Sequence, residues 1–413
     1  MKKENYIKNR RNIIDSMKDN SLLILFAGMA PRKSGDETYA FTPNRNFYYA
    51  TGIDEQKDIL LIYKINSKRF LEIVFINRFD EFKAKWVGKS LTKEEATSLS
   101  GVDTINYLDE FNEVFSRLAS RSERIYLDLE RQGYEEATTV PQNFASNVKD
   151  KYPAIKIKNI YENIAKLRMV KSKDEIVEIE KAISITAKGV EMLMGNAKSG
   201  ILESSLEAYF DFAIKQNGAK DFAFKTIAAS GKNATVLHYS SNDSIIKKGD
   251  LILFDLGAEF NYYKSDITRT FPVEGKFSPR QKEIYEIVLK GQELVFSLIR
   301  PGTTLLVINE ELTKYYAKEL KRIGLIKYDQ EVSKYYYHSV SHHLGLDTHD
   351  ASLVALPLEE GNVITVEPGL YIEEESIGIR IEDDALVTKD GCKNLSSQII
   401  KSVEEIERFM NNK

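Results

Sequence analysis

Five short segments of this chain place acids or histidines inside runs that otherwise read as buried. They are 251–257 (LILFDLG), 264–271 (KSDITRTF), 338–350 (HSVSHHLGLDTHD), 363–372 (VITVEPGLYI) and 377–384 (IGIRIEDD). Carboxylates are seldom buried unless paired or bound to metal. Asp255, Asp266, Glu367 and Glu382 stand in apolar strand contexts and therefore require a compensating positive charge. All five histidines, His238, His338, His342, His343 and His349, fall in the same part of the chain. One imidazole with four carboxylates suits a dinuclear site, since four negative charges match two divalent cations and carboxylates bridge ions well. The donor set favours Mn²⁺, with Co²⁺, Fe²⁺ or Zn²⁺ as alternatives, over a thiolate-type zinc site. Without ions, like-charge repulsion forces some of the acids to keep their protons.

Each part of this set also has a plainer reading. Asp255 and Asp266 lie on two strand-like runs joined by 258–264 (AEFNYYK), a hairpin connection that would bring their strands within about 5 Å. Asp is equally at home in turns and on solvated edges. Glu367 and Glu382 repeat the arrangement, with Pro368-Gly369 ending one strand and Gly378 opening the next. The alternative there is a solvated strand end in which Arg380 pairs with the acids of 382–384. His338, His342 and His349 are spaced by four and seven, offsets that share one helix face, although a glycine-interrupted loop could also bring them together. His343 points away from His342 in an extended segment and is set aside. His238, after an apolar run, is by itself equally a core histidine.

These residues need elements to hold them. At 413 residues the chain is long for one core, so two domains are expected, 1–165 and 166–413, with a break near 161–173. The first third reads as mixed α/β, with strands at 22–27, 58–64, 70–76 and 124–129 and helices at 92–99 and 108–118. Beyond it, Ile176, Ile179, Ile183 and Ala187 line one face of a helix over 173–194, and a second helix runs over 204–216. The order recurs as helices 280–298 and 307–323. The first helices of the two pairs share a Lys-Gly-x-Glu tetrad, at 188–191 and 290–293. This reads as a weak duplication of two helix–helix–hairpin halves, with coincidence as the alternative.

A net charge of -4 argues against a nucleic-acid surface. The apolar runs are strand-sized, far short of the roughly 20 residues of a membrane helix. The charged N-terminus lacks a signal-type apolar core, and the single cysteine, Cys392, excludes an internal disulfide. Together these suggest the cytoplasm.

The segments 251–278, 338–350, 363–372 and 377–384 resemble the metal-dependent Xaa-Pro aminopeptidases (aminopeptidase P) of the pita-bread, or creatinase/methionine aminopeptidase, fold. Residues 36–52 (DETYAFTPNRNFYYATG) resemble the family's N-terminal segment. The resemblance implies an α/β (α+β) protein: an N-terminal creatinase-type domain, then a pita-bread catalytic domain with pseudo-two-fold symmetry. It implies that Asp255, Asp266, His342, Glu367 and Glu382 bind two metals, and that His238, His338, His349 and Arg380 surround the substrate. The implied reaction is hydrolysis of the bond between an N-terminal residue and a following proline by a metal-activated hydroxide. Glu367 would accept the proton, His349 or His238 would stabilise the oxyanion, and His338 would touch the substrate or the leaving nitrogen. Arg380 would orient Glu382 or Asp255. A homo-oligomer, dimer or tetramer, is also implied, in which one subunit's N-terminal domain helps close another's site; Asp36 is a candidate contributor unless it only caps a turn. Ser339 and His343 depart from the family pattern and bear on specificity. A prolidase acting on Xaa-Pro dipeptides would use the same ligands, and a non-catalytic pita-bread binding protein is the remaining alternative. A methionine aminopeptidase is disfavoured by the full extra domain in the first third.

Overall fold

The apolar runs of the first third become one sheet. The computed structural model describes residues 1–131 and 133–412, which form two compact units, Met1–Leu167 and Arg168–Lys413. In the first unit Ser21–Phe26, Ile59–Asn66 and Arg69–Ile76 pair antiparallel. Arg124–Leu127 and Lys156–Asn159 extend one side in parallel, and Ile105–Tyr107 extends the other. Ser21–Phe26 is central and covered on both faces, which is why it reads as a continuous apolar run and not as an alternating one. Phe111, Val114, Phe115 and Leu118 of the helix Phe111–Ala119 pack on Leu22, Ile24, Leu61 and Phe75. Asp36 lies exposed in the turn between the short strands Arg32–Ser34 and Glu37–Thr38. The division between the two units falls within the stretch 161–173, which is largely the helix Tyr161–Met169. It contains no Gly or Pro to stop a helix, and Asn159 Oδ1 accepts the Tyr161 N–H at its start.

In the second unit the expected helix pairs form. They are Lys173–Asn196 with Glu203–Gln216, and Pro279–Leu298 with Leu305–Arg322. The first helix of each pair opens on a serine capping box, Ser172 with Glu175 and Ser278 with Gln281. The shared tetrad has a packing reason. A Cβ on Gly189 would stand 2.3 Å from Phe210 of the partner helix, and one on Gly291 would stand 3.0 Å from Leu312. Both glycines let the second helix of the pair cross close to the first.

Each helix pair is followed by strands. The first set is Ile227–Ser230, Leu251–Leu256 and Ile267–Pro272 in one antiparallel sheet. The second pairs Val363–Val366 with Asp383–Val387, and Gly369–Ile372 with Ile377–Arg380. The connection 258–264 is more than a loop. Ala258–Phe260 and Tyr263–Lys264 form their own hairpin through Asn261 and Tyr262, both at positive φ (48° and 68°), as a two-residue turn requires. Gly257 bends the chain into it: a Cβ there would meet the Ser265 carbonyl at 1.9 Å. As a result the cross-strand neighbour of Asp255 is Thr268, not Asp266.

One buried acid in the first unit sets a pH dependence. Asp58 is fully buried; Oδ1 accepts from Asn77 at 3.2 Å, and Oδ2 has no donor among the described residues. Burial and then the nearby Glu55 charge push its pKa from 3.8 to about 8. A raised folded-state pKa gives stability that is complete below the unfolded value and is lost as pH climbs to about 8. Asp58→Asn should therefore raise the melting temperature of the full-length protein at about pH 9 while changing it little at about pH 5, read by scanning calorimetry. An equal shift at both pH values would contradict a charged, desolvated Asp58.

Candidate metal centre

The strand Ile267–Pro272 lies against the Ile377–Arg380 segment and its continuation, so the two halves of the second unit meet at their acids. Glu382 N donates to the Thr268 carbonyl at 3.0 Å, and Asp266 N donates to Asp384 Oδ2 at 3.2 Å. Asp255 sits near the end of Leu251–Leu256, Asp266 just before Ile267–Pro272, Glu367 between Val363–Val366 and Gly369–Ile372, and Glu382 just after Ile377–Arg380. One ligand atom from each of Asp266, His342 and Glu382 lies within 4.8 Å of the others. All five expected ligands line a single cavity of about 720 Å³, together with His238, His338, His349 and Arg380.

The solvated-strand alternative fails on burial: Glu382, Asp383 and Asp384 are 2%, 0% and 0% exposed. These adjacent acids have separate fates. Asp383 is clamped by Arg269 Nη2 at 2.7 Å and Lys401 Nζ at 2.5 Å. Burial alone would raise its pKa, but the two cations win and hold it below the usual range. Glu382 is raised well above the usual range by burial and by Asp266, Glu367 and Asp255. Asp266 is raised likewise by burial, Asp255, Asp384 and Glu367, and Glu367 is raised mainly by burial.

The donor atoms fit a cation. His342 Nδ1 lies 3.1 Å from the His343 carbonyl, so it carries the proton and leaves the Nε2 lone pair free. That Nε2 is 3.5 Å from both Asp266 Oδ2 and Glu367 Oε1, too far for a good hydrogen bond. Three acceptors thus face one another. Asp255 Oδ1 is also buried with no donor among the described residues. Divalent ions would satisfy all four.

A surrounding network fixes the ligands. Arg380, fully buried, donates from Nη2 to Asp255 Oδ2 at 2.6 Å, from Nε to the Thr268 hydroxyl at 3.0 Å, and from Nη1 to the Tyr371 hydroxyl at 3.0 Å. The Thr268 hydroxyl in turn donates a hydrogen bond to Glu382 Oε2 at 2.6 Å. Thr365 donates to Glu367 Oε1 at 3.3 Å. Gln292 donates from Nε2 to the carbonyls of Val366 and Ile381, the residues preceding Glu367 and Glu382. Asp350, at the end of the histidine segment, is held by Arg168 at 2.5 Å and Lys171 at 2.8 Å, all buried.

The histidines divide. The 338–350 segment is a loop, not a helix, and its turns bring the His342 and His349 rings together, centroids 4.1 Å apart and planes tilted by 45°. His349 and His238 are exposed in the cavity. Burial and the neighbouring His342 lower the His349 pKa. His338 has both ring nitrogens engaged, Nδ1 with the Ser339 carbonyl at 2.8 Å and Nε2 with the Tyr371 hydroxyl at 2.8 Å. Burial and Arg380 push its pKa down to about 4. Ser339 is exposed at the cavity, while His343 is buried and bridges to Ile364.

Sequence reasoning missed Thr268, Tyr371 and Gln292. Thr268 was within reach, because Asp266, Thr268 and Thr270 alternate on one strand face. Gln292 was not, because its partners are backbone carbonyls far along the chain.

Antiparallel strands that close on a buried His–carboxylate cluster define a site fit for a divalent metal. Residues 177–389 match metallopeptidase family M24, and residues 6–126 match the aminopeptidase P N-terminal domain. The Xaa-Pro aminopeptidase of Escherichia coli K12 is 32% identical over 99% of this chain and 98% of its own length. Among solved structures, a Bacillus anthracis chain described as an aminopeptidase P superposes with a TM-score of 0.98 at 49% identity, covering 100% of this chain and 99% of that one. Aminopeptidase P from E. coli, solved with the inhibitor Pro-Leu, gives 0.93 at 31%, covering 100% and 99%. The chain belongs to metallopeptidase family M24 and, within it, to the Xaa-Pro aminopeptidases, with the pita-bread catalytic domain that follows from this.

Two outcomes follow from the network. Thr268→Val should leave the fold intact and weaken divalent-ion binding by roughly 10–100-fold, read by titration calorimetry, as loss of a ligand-orienting group does. Because burial and neighbouring carboxylates raise the pKa of Asp266 and Glu382 well above the usual range, and burial raises that of Glu367, ion binding should release protons and tighten as pH rises. Calorimetry in two buffers of different ionisation heat reads this directly; no net proton release would contradict it.

Proposed function

We propose that this chain is a metal-dependent Xaa-Pro aminopeptidase that releases the N-terminal residue from peptides whose second residue is proline. The observation that carries the reading is the convergence of Asp255, Asp266, His342, Glu367 and Glu382 in one cavity whose wall exposes His238 and His349. Relatives of full-length match that bear this name support the substrate class. So does the Pro-Leu bound to the E. coli protein, a dipeptide that begins with proline as the product of such a cleavage would.

Asp255, Asp266, His342, Glu367 and Glu382 would hold two divalent ions, with Mn²⁺ the choice their oxygen-rich donor set favours. When bound, such ions supply Lewis acidity that lowers the pKa of water and offsets negative charge developing on the substrate. Glu367 accepts the proton of the attacking water at a carboxylate oxygen. His349, held neutral by burial and by His342, offers an N–H to the substrate carbonyl, and His238 stands exposed in the same cavity to do likewise. Arg380 orients Asp255 directly and Glu382 through Thr268. Through Tyr371 it also fixes the His338 ring, which would contact the substrate or the leaving nitrogen. We further propose, on the resemblance, a homodimer or homotetramer. A cytoplasmic location accords with the free thiol of Cys392. No helix among the described residues is long and apolar enough to cross a membrane.

The test is cleavage of Ala-Pro, Ala-Pro-Ala and a longer Xaa-Pro peptide by metal-stripped protein, with and without added Mn²⁺. Metal-dependent release of the first residue from the longer peptides is expected. Cleavage of the dipeptide alone would make the protein a prolidase, and no cleavage of any of them with two ions bound would remove the proline reading.

A further inference from the structure

Glu203 opens the helix Glu203–Gln216 and is fully buried, and no step above uses it. Its carboxylate accepts five hydrogen bonds from one stretch of chain. Oε1 takes the Ser230 N–H and the Ser230 hydroxyl, each at 2.7 Å, and Asn233 Nδ2 at 3.1 Å. Oε2 takes the Tyr239 hydroxyl at 2.9 Å and the Ser244 N–H at 3.1 Å. All five donors are neutral. A buried carboxylate is costly unless its lone pairs are filled; these donors fill them, and their joint effect is to pin residues 230–244.

That stretch needs pinning. Its regular structure is limited to the short 3₁₀ turn Gly231–Thr235, and it carries His238 into the cavity. Tyr239 adjoins His238. Leu237 and His238 are the central residues of a turn that the Tyr239 N–H closes on the Val236 carbonyl at 3.2 Å, so holding the Tyr239 hydroxyl on Glu203 fixes one end of the turn that carries His238 into the cavity. The far side of the stretch is tied by Lys225 Nζ to the Ser240 carbonyl at 2.6 Å and by Asn242 Nδ2 to the Thr226 carbonyl at 2.9 Å.

We propose that Glu203 is a positioning residue for the peptidase reaction: through Ser230, Tyr239 and Ser244 it fixes the stretch that presents His238 to the substrate. The proposal rests on the reading of His238 as a substrate-facing group, and the test separates the two.

The experiment is a double-mutant cycle on the full-length, Mn²⁺-loaded protein. kcat/KM for Ala-Pro-Ala is measured for His238→Ala, for Tyr239→Phe and for the two combined, with Glu203→Gln as a second approach to the same contact. Melting temperature and bound-metal content are recorded for each. Tyr239→Phe should lower kcat/KM about fivefold, the worth of one hydrogen bond, and Glu203→Gln by more, with metal content unchanged. In the His238→Ala background, Tyr239→Phe should have no further effect, because it acts through the missing ring. Additive losses, or losses that follow metal content, would overturn the proposal and leave the reading of His238 intact. Full activity in Tyr239→Phe would also overturn it, whether or not Glu203→Gln folds. Full activity in His238→Ala would remove the reading of His238, and the proposal with it.

Discussion

Four carboxylates share one buried volume in this protein, and one positive side chain, Arg380, stands among them. Its single charge is committed to Asp255, so the remaining negative charge must be met by protons or by cations. In the metal-free protein, burial and the mutual repulsion of the acids shift Asp266, Glu367 and Glu382 all upward. Arranging acids in this way is unfavourable for stability taken alone. It makes sense as a site that a doubly charged ion completes.

The rest of the second unit serves to hold that arrangement against its own repulsion. Each half supplies one long helix whose buried polar side chain grips the backbone beside the ligands. Gln292 holds the carbonyls before Glu367 and Glu382. Thr186 accepts the Ala258 N–H and meets the Ser265 hydroxyl, one residue before Asp266. Arg269, wholly buried, ties Asp383 and the Glu382 carbonyl to the carbonyls of Ile399 and Ile400. Neutral hydroxyls reach two of the acids, Thr268 at Glu382 and Thr365 at Glu367, and orient them without neutralising them.

Much of this was legible in the sequence. The apolar runs of the first sheet, the four long helices and the five ligand-bearing segments all follow from period, caps and buried acids, because these signals are local. The shared Lys-Gly-x-Glu tetrad pointed to a repeat, and the helix crossings at Gly189 and Gly291 give it a cause. What stayed hidden depends on contacts between distant residues. Asp383 and Glu382 are neighbours in sequence with opposite roles, and only the approach of Arg269 and Lys401 separates them. The hairpin at 258–264 was read as a connection because its strands are two and three residues long, too short to show a period. The Tyr371 contact with His338 crosses between the histidine loop and a strand, and nothing in either segment announces it.

Under the proposed function, five side chains from two half-domains would hold two divalent ions. Anomalous X-ray diffraction near the manganese absorption edge, on crystals of the protein grown with Mn²⁺, tests this most directly. Two anomalous peaks between Asp255, Asp266, His342, Glu367 and Glu382 are predicted. Peaks elsewhere, or none in that cavity while the five side chains stay in place, would contradict it.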